Sequence, residues 1–291
     1  MKRVAVVGIP GGWSSERLVS AVEERTGFRL LVDMAKVRLD LESGRAFYGE
    51  HDLTAMDAII VKKIAPSYSP SALDRMEILR FVENRGVPVF SKARSILGLI
   101  DRLSCTVSLR SGGIPMPSTV VTEDVEEAMH AVEDFGRAVF KPLYSSKARG
   151  MTVIEPGPEM QEQVEAFKND GNPVMYIQKM VVHPGLDLGV TFLGGEYVTT
   201  YARKGSGTSW DTTTRTGGKY VAVEPGQEII DLAHKAQALF DMAFTCVDVV
   251  QTPDGPQIYE VSAFGGFRGL LDANGLDAAA MYADWVMGRI S

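Results

Sequence analysis

The stretch Cys246-Val-Asp-Val-Val-Gln-Thr-Pro-Asp-Gly-Pro-Gln-Ile-Tyr-Glu-Val-Ser262 decides how this chain is read. Its two arms alternate in the period of a strand, and Pro253-Asp-Gly-Pro256 between them is turn chemistry, so the segment reads as a β-hairpin. With the loop centred on Asp254, Asp248 and Glu260 are equidistant from it and face each other, roughly 5 Å apart at Cβ. Like charges paired across a sheet are destabilising unless something positive lies between them. A hard divalent cation with oxygen ligands, Mg2+ or Mn2+, is the simplest occupant. Val247, Val249 and Val261 on the alternate positions argue that the opposite face is buried, which makes the hairpin part of a core sheet. The same residues on an edge hairpin would be a solvated acidic face, and the hairpin alone leaves both readings open.

Outward from the hairpin, a helix is expected over 227–242 and a last helix over 276–289, both on one side of an antiparallel sheet. Before them, the chain from Asp187 makes a hairpin through Gly194-Gly195 and enters a polar loop from Lys204 to Lys219. The segment 199–220 holds Arg203, Lys204, Arg215 and Lys219 against Asp211, a local charge of +3 in a chain of net charge -7. An anionic ligand would want such a reversal of sign, although a solvated loop shows it too. Residues 114–181 read as an α+β unit with strands at 138–142, 151–155 and 174–178. A single linker helix is expected over 91–111, just before the break Gly112-Gly113-Ile-Pro-Met-Pro117. The first 92 residues read as a small α/β domain, with a strand over 3–9 and a helix capped by Ser14 or Ser15. Its Gly11-Gly12-Trp13 turn is not G-x-G-x-x-G, so no dinucleotide fingerprint is present.

Composition narrows the class of function. The chain has 291 residues, 45% of them hydrophobic and 23% charged, enough to bury a large core. Its negative balance argues against nucleic acid as a partner, since phosphate neutralisation needs a basic surface. No apolar run reaches the length of a membrane span, and Met1-Lys-Arg-Val-Ala-Val-Val-Gly8 turns Gly/Pro-rich too soon for a signal peptide, so a cytoplasmic protein is expected. Cys105 and Cys246 lie in apolar contexts and read as buried thiols. The histidines show no zinc spacing.

A lysine at a strand end is ordinarily a surface residue. Lys141, however, ends an apolar strand and precedes a loop of small residues (Ser145, Ser146, Ala148, Gly150), where backbone N–H groups can cradle phosphates. Strand lysine, small-residue loop, a strand ending Gln178-Lys179-Met180, a basic loop and an acidic hairpin follow one another along the chain. Together they describe a nucleotide and metal site.

In that order the chain resembles the ATP-grasp superfamily, and within it the RimK-like and glutathione-synthetase-like carboxylate-amine ligases. The resemblance covers residues 90–291 and, more loosely, the N-terminal part. It implies a pre-ATP-grasp α/β domain over 1–92, a linker helix over 93–113 and a two-subdomain ATP-grasp fold over 114–181 and 182–291, with nucleotide between two antiparallel sheets. Phe140-Lys-Pro-Leu-Tyr-Ser-Ser-Lys-Ala-Arg-Gly-Met151 is similar to the family's lysine and phosphate-covering loop, which implies nucleotide roles for Lys141, Ser145, Ser146 and Lys147. Arg102 stands where the family has its first nucleotide lysine. Gln178, Lys179 and Met180 resemble the adenine-reading hinge, Asp187 would contact ribose, and Lys219 joins the nucleotide set. Asp248, Glu260 and Ser262 would hold Mg2+ (or Mn2+), with Ser262 in place of the usual asparagine. Arg203 and Arg215 would hold phosphate or acyl phosphate, and Arg268 would clamp a substrate carboxylate.

The implied reaction turns a carboxylate into an acyl phosphate with ATP and joins it to an amine. The partners would be small molecules or a peptide or protein terminus, and the enzyme a homodimer. Two other readings stand beside it: a regulatory protein that binds ATP, and a phosphotransferase on the same fold.

Overall fold

The structure is a computed structural model that describes residues 1–145, 148–182, 185–205, 212 and 217–290. The N-terminal part runs β1 (Val4–Val7), α1 (Trp13–Thr26), β2 (Leu31–Val32), β3 (Val37–Asp40), β4 (Arg45–Tyr48), β5 (His51–Asp52), β6 (Ala58–Val61), α2 (Pro70–Asn84) and β7 (Val89–Phe90). Strands β1 and β6 are apolar and buried on both faces, as a parallel sheet covered on both sides requires, and they form the centre of the order β2-β1-β6-β7. Strands β3, β4 and β5 make a separate antiparallel sheet. No side chain caps α1. Its N-cap is Gly12, and Ser15, expected as a cap, is buried and accepts the Ile9 N–H at 3.0 Å.

The single linker helix expected next is two helices, α3 (Ala93–Ile100) and α4 (Arg102–Ser111). Asp101 causes the break. Its backbone is extended, and its carboxylate accepts the N–H groups of Leu103 and Ser104 at 3.1 and 3.3 Å, so it starts a second helix at Arg102.

Next come β8 (Thr119–Thr122), α5 (Val125–Phe135), β9 (Ala138–Lys141), β10 (Thr152–Ile154), α6 (Met160–Asn169) and β11 (Met175–Lys179), whose strands form an antiparallel sheet in the order β10-β9-β11-β8. The remainder is β12 (Leu186–Leu193), β13 (Glu196–Lys204), β14 (Lys219–Ala222), α7 (Gln227–Ala238), β15 (Phe244–Thr252), β16 (Gly255–Val261), α8 (Phe267–Asn274) and α9 (Ala278–Met287). Its sheet is antiparallel with the order β14-β13-β12-β15-β16. Mixed α/β architecture with antiparallel sheets is the class that the sequence implies.

Both faces of the five-stranded sheet are covered, where helices on one side were expected. Leu188, Val190, Val247 and Val249 pack with Ile229 and Ala233 of α7, whereas Tyr201, Phe244 and Cys246 pack with α8 and α9. Each of these cores continues into the N-terminal sheet. The sheet β10-β9-β11-β8 has a core of its own with α5 and α6. Among the described residues no helix is long and apolar enough to cross a membrane.

Candidate active site

One face of the five-stranded sheet carries the charged residues. Register sets them in rows: Glu260 opposite Asp248, Asp248 opposite Gly189, Gly189 opposite Tyr201, and Asp187 opposite Arg203. The hairpin turn is tighter than a loop centred on Asp254. Thr252 pairs with Gly255, and continued regularly this register would set Tyr259 opposite Asp248. A bulge between Asp248 and Val249 takes up the extra residue and brings Glu260 across, so two carboxylates meet. Val247, Val249 and Val261 are buried on the other face, as the alternation requires.

Gly189 allows the row to close. A Cβ there would stand 2.4 Å from the Tyr201 ring, which lies over the position and brings its hydroxyl to 3.4 Å from Cys246 Sγ. Arg203 then spans two acids. Its Nε donates to Asp187 at 2.9 Å and its Nη2 lies 2.9 Å from Asp248 Oδ1. Burial alone would lower the Arg203 pKa, but Asp187 and Asp248 outweigh it and hold the guanidinium charged. Across the hairpin, Arg102 Nη1 donates to Glu260 at 2.9 Å. Burial raises the Asp248 carboxyl, Arg203 opposes that, and Glu260 and Asp187 add to the rise. Two facing carboxylates, the Asp248 side chain 14% exposed and the Glu260 side chain 38%, are therefore each met by one arginine.

Lys141 closes the site from the small sheet. It is 8% exposed, and its Nζ donates to Gln178 Oε1 at 2.5 Å and lies 4.9 Å from the centre of the Tyr259 ring. Gln178 is fixed in turn by Thr119 and Tyr176, and Tyr176 by Thr106 of α4 at 2.9 Å. Burial foremost, then Arg102, pulls the Lys141 ammonium down to about 7. Arg102 also donates to the Pro142 carbonyl at 3.3 Å, so α4 joins the small sheet to the hairpin.

Other expected residues are placed less directly. Ser145 donates to the Arg149 carbonyl at 2.6 Å, within its own loop. Lys179 and Met180 have their amides bonded to the carbonyls of Ser118 and Arg137 at 2.8 and 2.9 Å, so those N–H groups already have partners. Asp187 is engaged by Arg203 and by the Thr212 hydroxyl. Ser262 follows β16, with its amide on the Cys246 carbonyl at 2.8 Å, and it borders the same small cavity as Arg102 and Glu260. Lys219 is exposed on the edge strand β14, opposite Lys204. Arg268 is exposed at the start of α8 and stacks 4.4 Å over the Trp13 ring, outside the row of acids and arginines. Ser146, Lys147 and Arg215 lie outside the described residues.

Lys62 and Lys63 escaped the sequence reading. They lie just after the apolar strand β6 as Lys141 lies at the end of β9, and a lysine where an apolar strand ends is the signal that would have found them. Lys62 is 4% exposed and donates to the carbonyls of Phe264 and Gly265 at 2.8 and 2.5 Å, just beyond the hairpin. A larger cavity of about 730 Å3 lies elsewhere, between the edge strand β7, the Gly194-Gly195 turn and α9, and none of the acids or arginines of the site borders it.

The donor set fits a hard divalent ion. Mg2+ is held by one or two carboxylates together with phosphate oxygens. Asp248 and Glu260 would supply the carboxylates, and among the described residues no group of three or more His, Cys, Asp or Glu side chains could hold a metal ion. The cations Arg102, Lys141 and Arg203 surround the pair as phosphate partners would.

Comparison with known proteins finds relatives over nearly the whole chain. The model of the RimK-like ATP-grasp domain matches residues 100–286. The chain is 24% identical to the tetrahydromethanopterin:alpha-L-glutamate ligase of Methanosarcina acetivorans, over 98% of this chain and 99% of that protein. A probable alpha-L-glutamate ligase of Rhodopirellula baltica is 23% identical over 100% of this chain and 72% of its own length. Among solved structures, the RimK domain ATP-grasp protein of Sphaerobacter thermophilus superimposes with a TM-score of 0.74 at 21% identity, over 98% of this chain and 100% of that one. The ATP-grasp ligase PsnB, complexed with a phosphomimetic variant of its minimal precursor, Mg and ADP, gives 0.78 at 17% identity, over 100% and 99%. At these identities the structural likeness establishes the fold.

Proposed function

We infer the reaction from one premise: this chain belongs to the RimK-like ATP-grasp family. It is an ATP-grasp ligase of the carboxylate-amine kind. We propose that it activates a carboxylate as an acyl phosphate and joins it to the amine of an amino acid, with Asp248 and Glu260 as the ligands of Mg2+. L-Glutamate is the first amine to test, because the curated relatives carry it in their names.

The observation that carries the reading is the cross-strand pair of Asp248 and Glu260, each met by an arginine from a different element. Mg-ATP, when bound, supplies the γ-phosphoryl group and disperses its charge. A carboxylate oxygen bonds to the γ-phosphorus as the bond to the β-phosphate oxygen breaks. The amine nitrogen then bonds to the acyl carbon, inorganic phosphate leaves with the electron pair of the acyl C–O bond, and the amine proton goes to solvent.

Within that sequence Asp248 and Glu260 hold the metal on one face of the hairpin. Arg102 and Lys141 approach from α4 and β9 and neutralise phosphate oxygens, and Arg203 approaches from β13. No protein nucleophile is required, and positioning supplies much of the acceleration.

ADP release with Mg-ATP, pooled small carboxylates and L-glutamate tests the proposal beside Asp248→Ala. Release that depends on the pool should fall about 100-fold or more in the variant, since a metal ligand weighs at least as much as a residue behind one. Nucleotide binding without release in any pool would replace it with the regulatory reading. A phosphorylated product with no amide would replace it with phosphotransfer.

A further inference from the structure

A cavity of about 110 Å3 opens between the N-terminal sheet and the acidic hairpin. Lys63, Tyr68, Phe264, Arg102 and Glu260 are among the residues that border it. Lys62 enters the core against Phe244 and Phe267, while Lys63, the next residue, borders the cavity. The Lys63 ammonium lies 5.2 Å from the centre of the Tyr68 ring, 5.1 Å from that of Phe264 and 3.3 Å from the Tyr68 hydroxyl. Two aromatic rings thus hold a cation in one place at the cavity wall.

Arg102 and Glu260, paired at 2.9 Å, belong to the site already described. An anion in the cavity would have a lysine and an arginine on its border and the carboxylate proposed for the metal beside it, where a group must be to receive a phosphoryl. The remaining lining is mostly apolar, with Leu99, Ile100, Leu143 and Val261, and includes Ser145 and Ser262 as well. Such a lining suits a hydrocarbon stem and adds no third cation for a second carboxylate.

We propose that this cavity seats the carboxylate that the enzyme activates, oriented by Lys63, and that the acid bears a short aliphatic stem. The proposal rests on the ligase reading above. Size sets the stem. An apolar cavity of ~150 Å3 takes benzene, so about 110 Å3 leaves room for a carboxylate and roughly three carbons.

The test uses wild type, Lys63→Ala and Lys63→Arg with saturating Mg-AMPPNP. Calorimetry reads the nucleotide affinity, and ligand-observed NMR reads the binding of butyrate and benzoate. Wild type should bind butyrate more tightly than the larger aromatic acid. Lys63→Ala should weaken butyrate by at least about tenfold and Lys63→Arg by less, with nucleotide affinity held within about twofold in both. Undiminished butyrate binding by Lys63→Ala would overturn the seat. So would absence of butyrate binding to wild type that binds nucleotide, or parallel loss of both ligands in Lys63→Ala. Wild type that fails to bind Mg-AMPPNP would instead overturn the ligase reading beneath it.

Discussion

Lys141 shows what a single position can and cannot disclose. Its place at the end of an apolar strand before small residues was legible, and so was the phosphate chemistry that the pattern permits. Its burial was not, because burial depends on Gln178 from β11 and Tyr259 from β16, which sequence distance conceals. The consequence is measurable. With the ammonium pulled down to about 7, most of Lys141 is neutral in the free protein at a pH one unit higher. Phosphate oxygens favour the charged form and raise the pKa again, so binding must take up a proton. Calorimetry of Mg-AMPPNP at about pH 8, in buffers of different ionisation heat, should show uptake of up to about one proton. Lys141→Met should lack it, and equal proton counts in the two proteins would contradict the assignment. Gly189 is the opposite case. Its identity says little in the sequence, and only the Tyr201 ring across it explains why no side chain fits.

At the scale of elements, the acidic hairpin was read as the right pair for an incomplete reason. Symmetry about Asp254 sets Asp248 against Glu260, but the observed two-residue turn does so only with the help of the bulge. Turn type and bulge together set register, and a bulge leaves no dependable mark on apolar alternation. The helix break at Asp101 is a case where the mark was present. An aspartate followed by polar Arg102 and Ser104 is N-cap chemistry, and the apolar residues on either side of it conceal the break. That cap presents Arg102 as the first residue of α4. Asp101→Ala should cost about 0.5–2 kcal/mol of stability, read from urea midpoints. The affinity for Mg-AMPPNP should fall with it, because Arg102 loses its fixed origin. A variant as stable as wild type, with unchanged affinity, would show that the cap has no part in placing the arginine.

At the scale of the whole molecule, the N-terminal sheet and the five-stranded sheet share two cores, and the small sheet carries its own. Lys62 marks the joint between the first two. Its ammonium reaches two carbonyls just after the hairpin and lies 3.8 Å over the Phe267 ring. Burial holds it well below the usual lysine value of 10.5. The unfolded chain therefore binds more protons than the folded one from the depressed pKa up to about 10.5, so this residue's contribution makes stability rise with pH across that window. Urea denaturation of wild type and Lys62→Met at about pH 6, 8 and 9.5 should show wild type gaining on the variant as pH rises. A constant difference would mean that Lys62 keeps an ordinary pKa.

The sequence by itself determined the family, the antiparallel hairpin with its two acids, the strand-end lysine and the basic stretch around Arg203. Each is a local pattern of alternation, turn residues and charge, and such patterns survive without knowledge of neighbours. Only the tertiary structure decided that Arg102 and Arg203 each take one acid of the pair, that Lys141 is buried against Gln178, and that Lys62 and Lys63 belong with a hairpin some two hundred residues away. It also set Arg268 against Trp13, apart from that row. Pairing of charges depends on distances of a few ångströms between elements remote in sequence. Packing of the shared cores sets those distances, and the order of residues along the chain does not record them.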